Sequence, residues 1–221
     1  ALPIPGSLAP GMRQANDFLM ALQLTGAAKR ASLANLQVRL PAVVIGGGLT
    51  GIDTATEVQA YYIAQVEKTL DRYETLAAER GDAAVRAGLD EESLSILDEF
   101  LVLGRAVRTE RARAAKAKQT PNFLPLLREW GGVTVAYRRA MNESPAYTRN
   151  HEDIVKAFEE GVLYADGLAP VRAVLDRYGH VAGLVCRKQH EDADGTWRDT
   201  GEETTLPARA ILVATGARPN V

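Results

Sequence analysis

The run Val43-Val44-Ile45-Gly46-Gly47-Gly48-Leu49-Thr50-Gly51-Ile52-Asp53 decides how the rest of the chain is read. A short β-branched apolar stretch ends in Gly-x-Gly-x-x-Gly and passes straight into a helical pattern. Strand, glycine turn and helix in that order are what a dinucleotide-binding βαβ unit requires. Gly46 permits the tight turn, Gly48 lets the backbone approach a pyrophosphate, and Gly51 lets the helix pack closely on the strand. The helix start then offers unpaired N–H groups and the positive end of its dipole to phosphates. Gly47, Leu49 and Thr50 complete the turn and join the candidate coenzyme site.

In the NAD-type unit an acidic residue about 20 positions past the glycines binds the ribose hydroxyls. Here that window, Ile63-Ala64-Gln65-Val66-Glu67-Lys68-Thr69-Leu70, still reads as helix. The next strand signal comes much later, at Gly132–Tyr137, and it ends in Arg138-Arg139. Guanidinium groups bind phosphate oxygens bidentately and stack on aromatic rings. Tyr137, Arg138 and Arg139 therefore join the candidate site, and the pair of arginines favours NADPH over NADH through its 2′-phosphate.

Together with Glu159-Glu160-Gly161-Val162 and the closing Ala214-Thr215-Gly216-Ala217-Arg218-Pro219-Asn220, these residues resemble the pyridine-nucleotide-binding domain of two-domain flavoproteins. The resemblance is to the FAD-dependent pyridine nucleotide–disulfide oxidoreductase superfamily, in the branch of the NADPH-oxidising small subunit of glutamate synthase. Leu2–Gly6 and Ala15–Leu19 are similar to the linker and helix that lead into that domain. Residues 1–58 and 121–221 carry the resemblance; the middle does not. It implies that residues 1–221 form one NAD(P)H-binding domain of a larger enzyme, with Thr215 and Gly216 at the coenzyme. FAD would be held by another domain of the same polypeptide and not by this stretch, which alone would turn nothing over. No catalytic residue is expected, because the cofactors supply hydride chemistry while protein positions them. Asp53 matches an acid in the family's nucleotide helix, and its expected task is to order the junction between helix and domain.

Composition bounds the remaining readings. The 221 residues are 46% hydrophobic and 24% charged with a net charge of −2, which gives no general attraction to nucleic acid or membrane surfaces. Neither a signal-peptide pattern nor a membrane-length apolar run is read in these residues, so no secretory or membrane setting is expected. The one cysteine, Cys186, sits in an alternating strand pattern and reads as a packing residue; its solitude suggests a cytoplasmic setting. It also excludes a Cys-x-x-Cys redox pair within the chain. The three histidines, 151, 180 and 190, lack metal-ligand spacing, so no metal site is assigned.

The patterning predicts an α/β fold: a Rossmann-like parallel sheet, an antiparallel β-meander and an inserted long helical hairpin over 58–120. A helix is expected over 11–29 and a strand over 42–46. One long helix runs from Leu49 to Gly81, and another from Asp90 toward Lys118, where Thr120-Pro121 stops it. Asn142–Pro145 reads as loop and His151–Glu160 as helix. Strands follow at 169–177, 181–188, after Asp194-Gly195, and at 210–214.

The hairpin reads as projecting from the domain, with Tyr62, Val66, Leu70 and Tyr73 facing Leu94, Leu97, Leu101 and Val107. Leu76, Phe100 and Leu103 are left seeking cover, which predicts a two-fold dimer through the hairpin. Deleting Gln65–Gln119 should then leave a monomer that binds NADPH. The basic run Arg105, Arg108, Arg111, Arg113, Lys116, Lys118 is expected to be solvated or to have a charge partner within the hairpin, with the acidic cluster Glu91, Glu92, Asp98 and Glu99 offsetting it across the hairpin. Two other functions compete: a docking or oligomerisation module on a vestigial nucleotide fold, and a flavin-free NAD(P)-linked dehydrogenase.

Overall fold

The computed structural model describes residues 2–216. Ala217–Asn220, the end of the motif quoted above, lie outside them.

The short apolar run Ala42–Ile45 forms β2, whose four residues are all buried. Burial on both faces is the mark of a parallel strand covered on two sides. It lies inside a five-stranded parallel sheet of order β1-β8-β2-β3-β4: Met12–Gln14, Ala210–Val213, Ala42–Ile45, Val133–Ala136 and Leu163–Ala165. Alternation along these strands sorts the core into two layers. Ala42, Val44, Val133, Val135 and Leu212 face helices, whereas Val43, Ile45, Ala136, Ile211 and Val213 face a second sheet. That sheet is an antiparallel meander of β5 (Leu168–Leu175), β6 (Val181–Glu191) and β7 (Trp197–Pro207). The expected α/β architecture is thus present, as helices, parallel sheet and meander in three layers.

The helical layer holds α1 (Ala15–Thr25), α2 (Leu49–Arg80), α3 (Asp82–Arg86) and α4 (Glu91–Ala117), with α5 (Leu124–Glu129), α6 (Pro145–Arg149) and α7 (His151–Glu159) beyond. The Asp90 side chain caps α4 by accepting from the Ser93 N–H at 2.7 Å. The expected helix over 11–29 is shorter, because residues 12–14 instead pair with β8 as an edge strand and Gly26 ends α1 in the left-handed region. The expected loop at 142–145 is a 3-10 turn, Met141–Glu143, running into α6, which Ser144 caps.

The hairpin is not a free arm. Phe100 and Val107 of α4 belong to the same core as Tyr62, Val44 and Leu127, and Phe100 packs edge-on against Tyr62. Phe100 is 3% exposed and Leu103 packs partly buried on that core, so of the three residues thought to need cover only Leu76 stays exposed. Leu70, Tyr73, Leu101 and Leu97 do meet across the hairpin. Gly104 makes the close approach possible, since a Cβ there would stand 2.6 Å from the Val66 carbonyl oxygen. Arg108 pairs with Asp71 and Glu74 at 3.0 and 2.8 Å, and Arg111 pairs with Glu67 at 2.7 Å, so acids of α2 offset part of the basic run. The expected Glu91, Glu92, Asp98 and Glu99 do not; they lie on the same helix as the run and pair with Arg177, His180, Arg86 and Arg39. At its other end α4 is tied to the sheets. Glu99 accepts from Arg39 and Arg209, which flank the N-terminal ends of β2 and β8, and Glu92 lies 2.9 Å from His180 in the β5–β6 turn.

A polar stripe along α2 escaped the hydrophobic pattern. Tyr61, Gln65, Lys68 and Arg72 recur at helical spacing and hold the irregular segment between α1 and β2. The Gln65 amide bonds both the N–H and the carbonyl of Val38, at 2.9 and 2.8 Å. The buried Lys68 ammonium donates to the carbonyls of Ala27, Ser32 and Ala34.

Candidate functional site

The C-terminal ends of parallel strands leave a crevice where their connections diverge, the usual place for a ligand in an open α/β sheet. Here β1, β2, β3 and β8 end around a cleft of about 820 Å³, within the range of small-molecule and cofactor sites. Gly46, Gly47, Gly48 and Thr50 line it from the turn between β2 and α2; Ala214, Thr215 and Gly216 line it from the end of β8; Tyr137 and Arg138 line it from the end of β3.

The motif glycines differ in what surrounds them. A Cβ on Gly46, which has φ +136°, would fall on the Ala214 carbonyl oxygen, and one on Gly51 would fall on the Gly46 carbonyl oxygen. Those two positions serve the packing of strand, turn and helix. Gly47 is closed by the Tyr137 ring and Ser144, whose atoms a Cβ would approach to 2.7 and 2.9 Å. Gly48 differs: nothing lies within 4 Å of the place its Cβ would occupy. The protein's own packing does not ask for glycine there, and the open space belongs to the cleft.

Gly48 is also the N-terminal cap of α2, in extended conformation and without a side chain to bond the first N–H groups. The first turn of α2 contains no acidic residue. The positive end of a 32-residue helix therefore meets the cleft with its leading donors uncapped by side chains. An anionic group is the kind of ligand that such a helix start favours.

Of the residues expected at the site, eight line the cleft: Gly46, Gly47, Gly48, Thr50, Tyr137, Arg138, Thr215 and Gly216. Leu49 points outward, 37% exposed, and Gly51 lies beneath the turn. Arg139 turns to Glu143, 3.7 Å away, and does not line the cleft. Asp53 is exposed on α2 away from the lining; partial burial, then the charges of Asp153 and Glu57, hold its carboxyl above the ordinary value. The lining residues not foreseen include three groups that bring other elements to the cleft. Gln14, Asn16 and Asp17 come from the start of α1, Leu168–Pro170 from the start of β5, and Pro145 from α6. The short β1 strand that carries Gln14 to the cleft has no signal of its own in the sequence.

Among the described residues no group of three His, Cys, Asp or Glu side chains could hold a metal ion, and no helix is long and apolar enough to cross a membrane. Cys186 is fully buried in β6, where burial pushes its thiol up to about 11.

No family model matches the chain. It is 31% identical over 223 residues to an uncharacterized protein of Rickettsia prowazekii, covering 96% of this chain and 29% of that protein. It is 34% identical over 94 residues to AegA of Escherichia coli, which carries the name of an oxidoreductase; the match covers 40% of this chain and 14% of AegA. The chain thus spans less than a third of the length of either relative. Among solved structures, Mycobacterium tuberculosis FprA in complex with NADPH superimposes with a TM-score of 0.45 at 17% identity, over 99% of this chain and 47% of FprA. An FAD-dependent pyridine nucleotide-disulphide oxidoreductase from Desulfovibrio vulgaris gives 0.42 at 16% identity, over 100% of this chain and 34% of the other. Neither superposition carries weight for this chain's function.

Proposed function

We propose that the cleft binds a nicotinamide dinucleotide, NADPH in preference to NADH, as the coenzyme-binding part of a flavin-dependent oxidoreductase. The observation that carries this reading is the open space at Gly48 at the uncapped start of α2. Gly46 and Gly51 have steric reasons to be glycine, whereas the open space at Gly48, on the cleft, leaves room for a phosphate to approach. Arg138, exposed at the rim, supplies a fixed positive charge for a 2′-phosphate.

In this reading the residues of the chain bind and orient, and the bound coenzyme supplies the hydride. The start of α2 holds the pyrophosphate, Arg138 holds the adenosine end, and the start of α1, with Gln14 and Asn16, borders the opposite part of the cleft. FAD would be supplied by a further domain of the same polypeptide, in keeping with the resemblance of the motifs to two-domain flavoproteins. Calorimetric titration of the chain with NADPH and NADH tests the proposal. Saturable NADPH binding, tighter than NADH, is the expected result; no binding of either coenzyme would overturn it.

A further inference from the structure

The turn after β3 carries two arginines in different settings. Arg138 lines the cleft, and among the described residues no carboxylate stands within ion-pairing distance of it. Arg139 lies beside Glu143, with Nη1 at 3.7 Å from Oε2. Glu143 is in turn held by Trp197 at the start of β7. The indole Nε1–H donates to Oε1 at 3.0 Å and shares the bond with Oε2 at 3.3 Å. Two further ties set the turn on the β4–β5 junction: the Gly167 N–H donates to the Arg139 carbonyl at 3.1 Å, and the Met141 N–H donates to Asp166 at 3.1 Å.

An indole is a neutral donor that accepts nothing. It immobilises the Glu143 carboxylate without cancelling its charge, which stays directed at Arg139. Released from the indole, the same carboxylate would be free to compete for Arg138, the neighbour of its present partner Arg139. Pairing with Arg138 would offset the cation that the cleft presents.

We infer that Trp197 and Glu143 are positioning residues that commit Arg139 to the protein and leave Arg138 alone to select a 2′-phosphorylated adenosine in the cleft. The inference rests on the dinucleotide reading above. It makes the meander, through one residue of β7, a determinant of coenzyme preference.

The probes are 2′,5′-ADP and 5′-AMP, which differ only in the 2′-phosphate, with NADH as a control for the rest of the cradle. Each is titrated into the chain and its variants, with circular dichroism as a check of folding. Arg138→Ala should lower the ratio of 2′,5′-ADP to 5′-AMP affinity by about tenfold or more, the scale of a lost charge-assisted bond. Arg139→Ala should change that ratio by less than about twofold, well inside the effect of such a bond. Trp197→Phe keeps the ring and loses the donor; it should lower the ratio by about threefold or more while 5′-AMP and NADH bind as before. Adding Glu143→Gln to Trp197→Phe removes the competing charge and should restore the ratio, which a merely structural role for Trp197 would not do. An unchanged ratio in Trp197→Phe, no recovery in the double variant, or equal losses from Arg138→Ala and Arg139→Ala would overturn the inference. Wild-type chain that binds neither NADH nor 5′-AMP would instead overturn the dinucleotide reading itself.

Discussion

Gly48 and Gly51 stand three residues apart in one motif, yet their substitution should fail in different ways. A valine at 51 would drive its Cβ into the Gly46 carbonyl, so Gly51→Val should unfold or severely destabilise the chain. Gly48→Val meets open space and keeps a permitted φ of −87°, so the fold should survive while NADPH binding is lost. Thermal melting beside coenzyme titration separates the two; a folded Gly48→Val variant with unchanged affinity would remove the pyrophosphate from the cleft. Cys186 gives a second expectation at this scale. Its thiol is raised to about 11 by burial, against about 8.5 for an exposed thiol. Because the folded state favours the neutral form, the stability linked to this group is whole below the unfolded value and is lost as pH rises through about 11. Cys186→Ala should flatten the alkaline fall in stability, measured by chemical denaturation across that window.

At the scale of elements, α2 joins the cleft to the rest of the helical layer. Its first turn faces the ligand space, its apolar stripe packs on the sheet and α4, and its polar stripe organises the segment before β2. Gln65→Leu would leave the N–H and carbonyl of Val38 without their partners in a buried place. Each buried polar group so orphaned costs about 1–3 kcal/mol, so a clear fall in melting temperature is expected. The α2–α4 contact should be equally intolerant of bulk at Gly104. Gly104→Leu would force the helices apart at the Val66 carbonyl, with a typical overpacking cost of about 1–3 kcal/mol. A Gly104→Leu variant as stable as the parent would show that the two helices can separate without loss.

Across the whole molecule, the helical insertion is a structural member. Phe100 and Val107 complete the core over the sheet, Glu99 ties α4 to the arginines at the base of β2 and β8, and Glu92 meets the meander turn at His180. Deleting Gln65–Gln119 would remove these together with Gln65 and Lys68. The shortened chain should therefore lack cooperative unfolding rather than persist as a small nucleotide-binding domain, which calorimetric or circular-dichroism melting would show. A two-fold dimer through the hairpin has less apolar surface to draw on than the pattern suggested, since Phe100 and Leu103 are already covered from within. Sedimentation of the intact chain at high concentration measures that association directly.

What the sequence alone determined is the local chemistry. The strand–glycine–helix order of Val43–Asp53, the helix start at Asp90, the meander turns and the two long helices all follow from neighbours within a few positions, where sterics and hydrogen bonding act without the rest of the chain. Tertiary structure decided what depends on distant partners. Eight of the residues singled out for the coenzyme come together around one cleft only because β3 and β8 pair in parallel with β2, which sets their C-terminal ends side by side. The edge pairing of Met12–Gln14 with β8 brought Gln14 and Asn16 to the cleft. The burial of Phe100 against Tyr62 turned an apparent arm into core. Arg138 and Arg139, adjacent and alike in sequence, have different surroundings: Arg138 lines the cleft, whereas Arg139 lies beside Glu143, a carboxylate held by Trp197 from the other sheet.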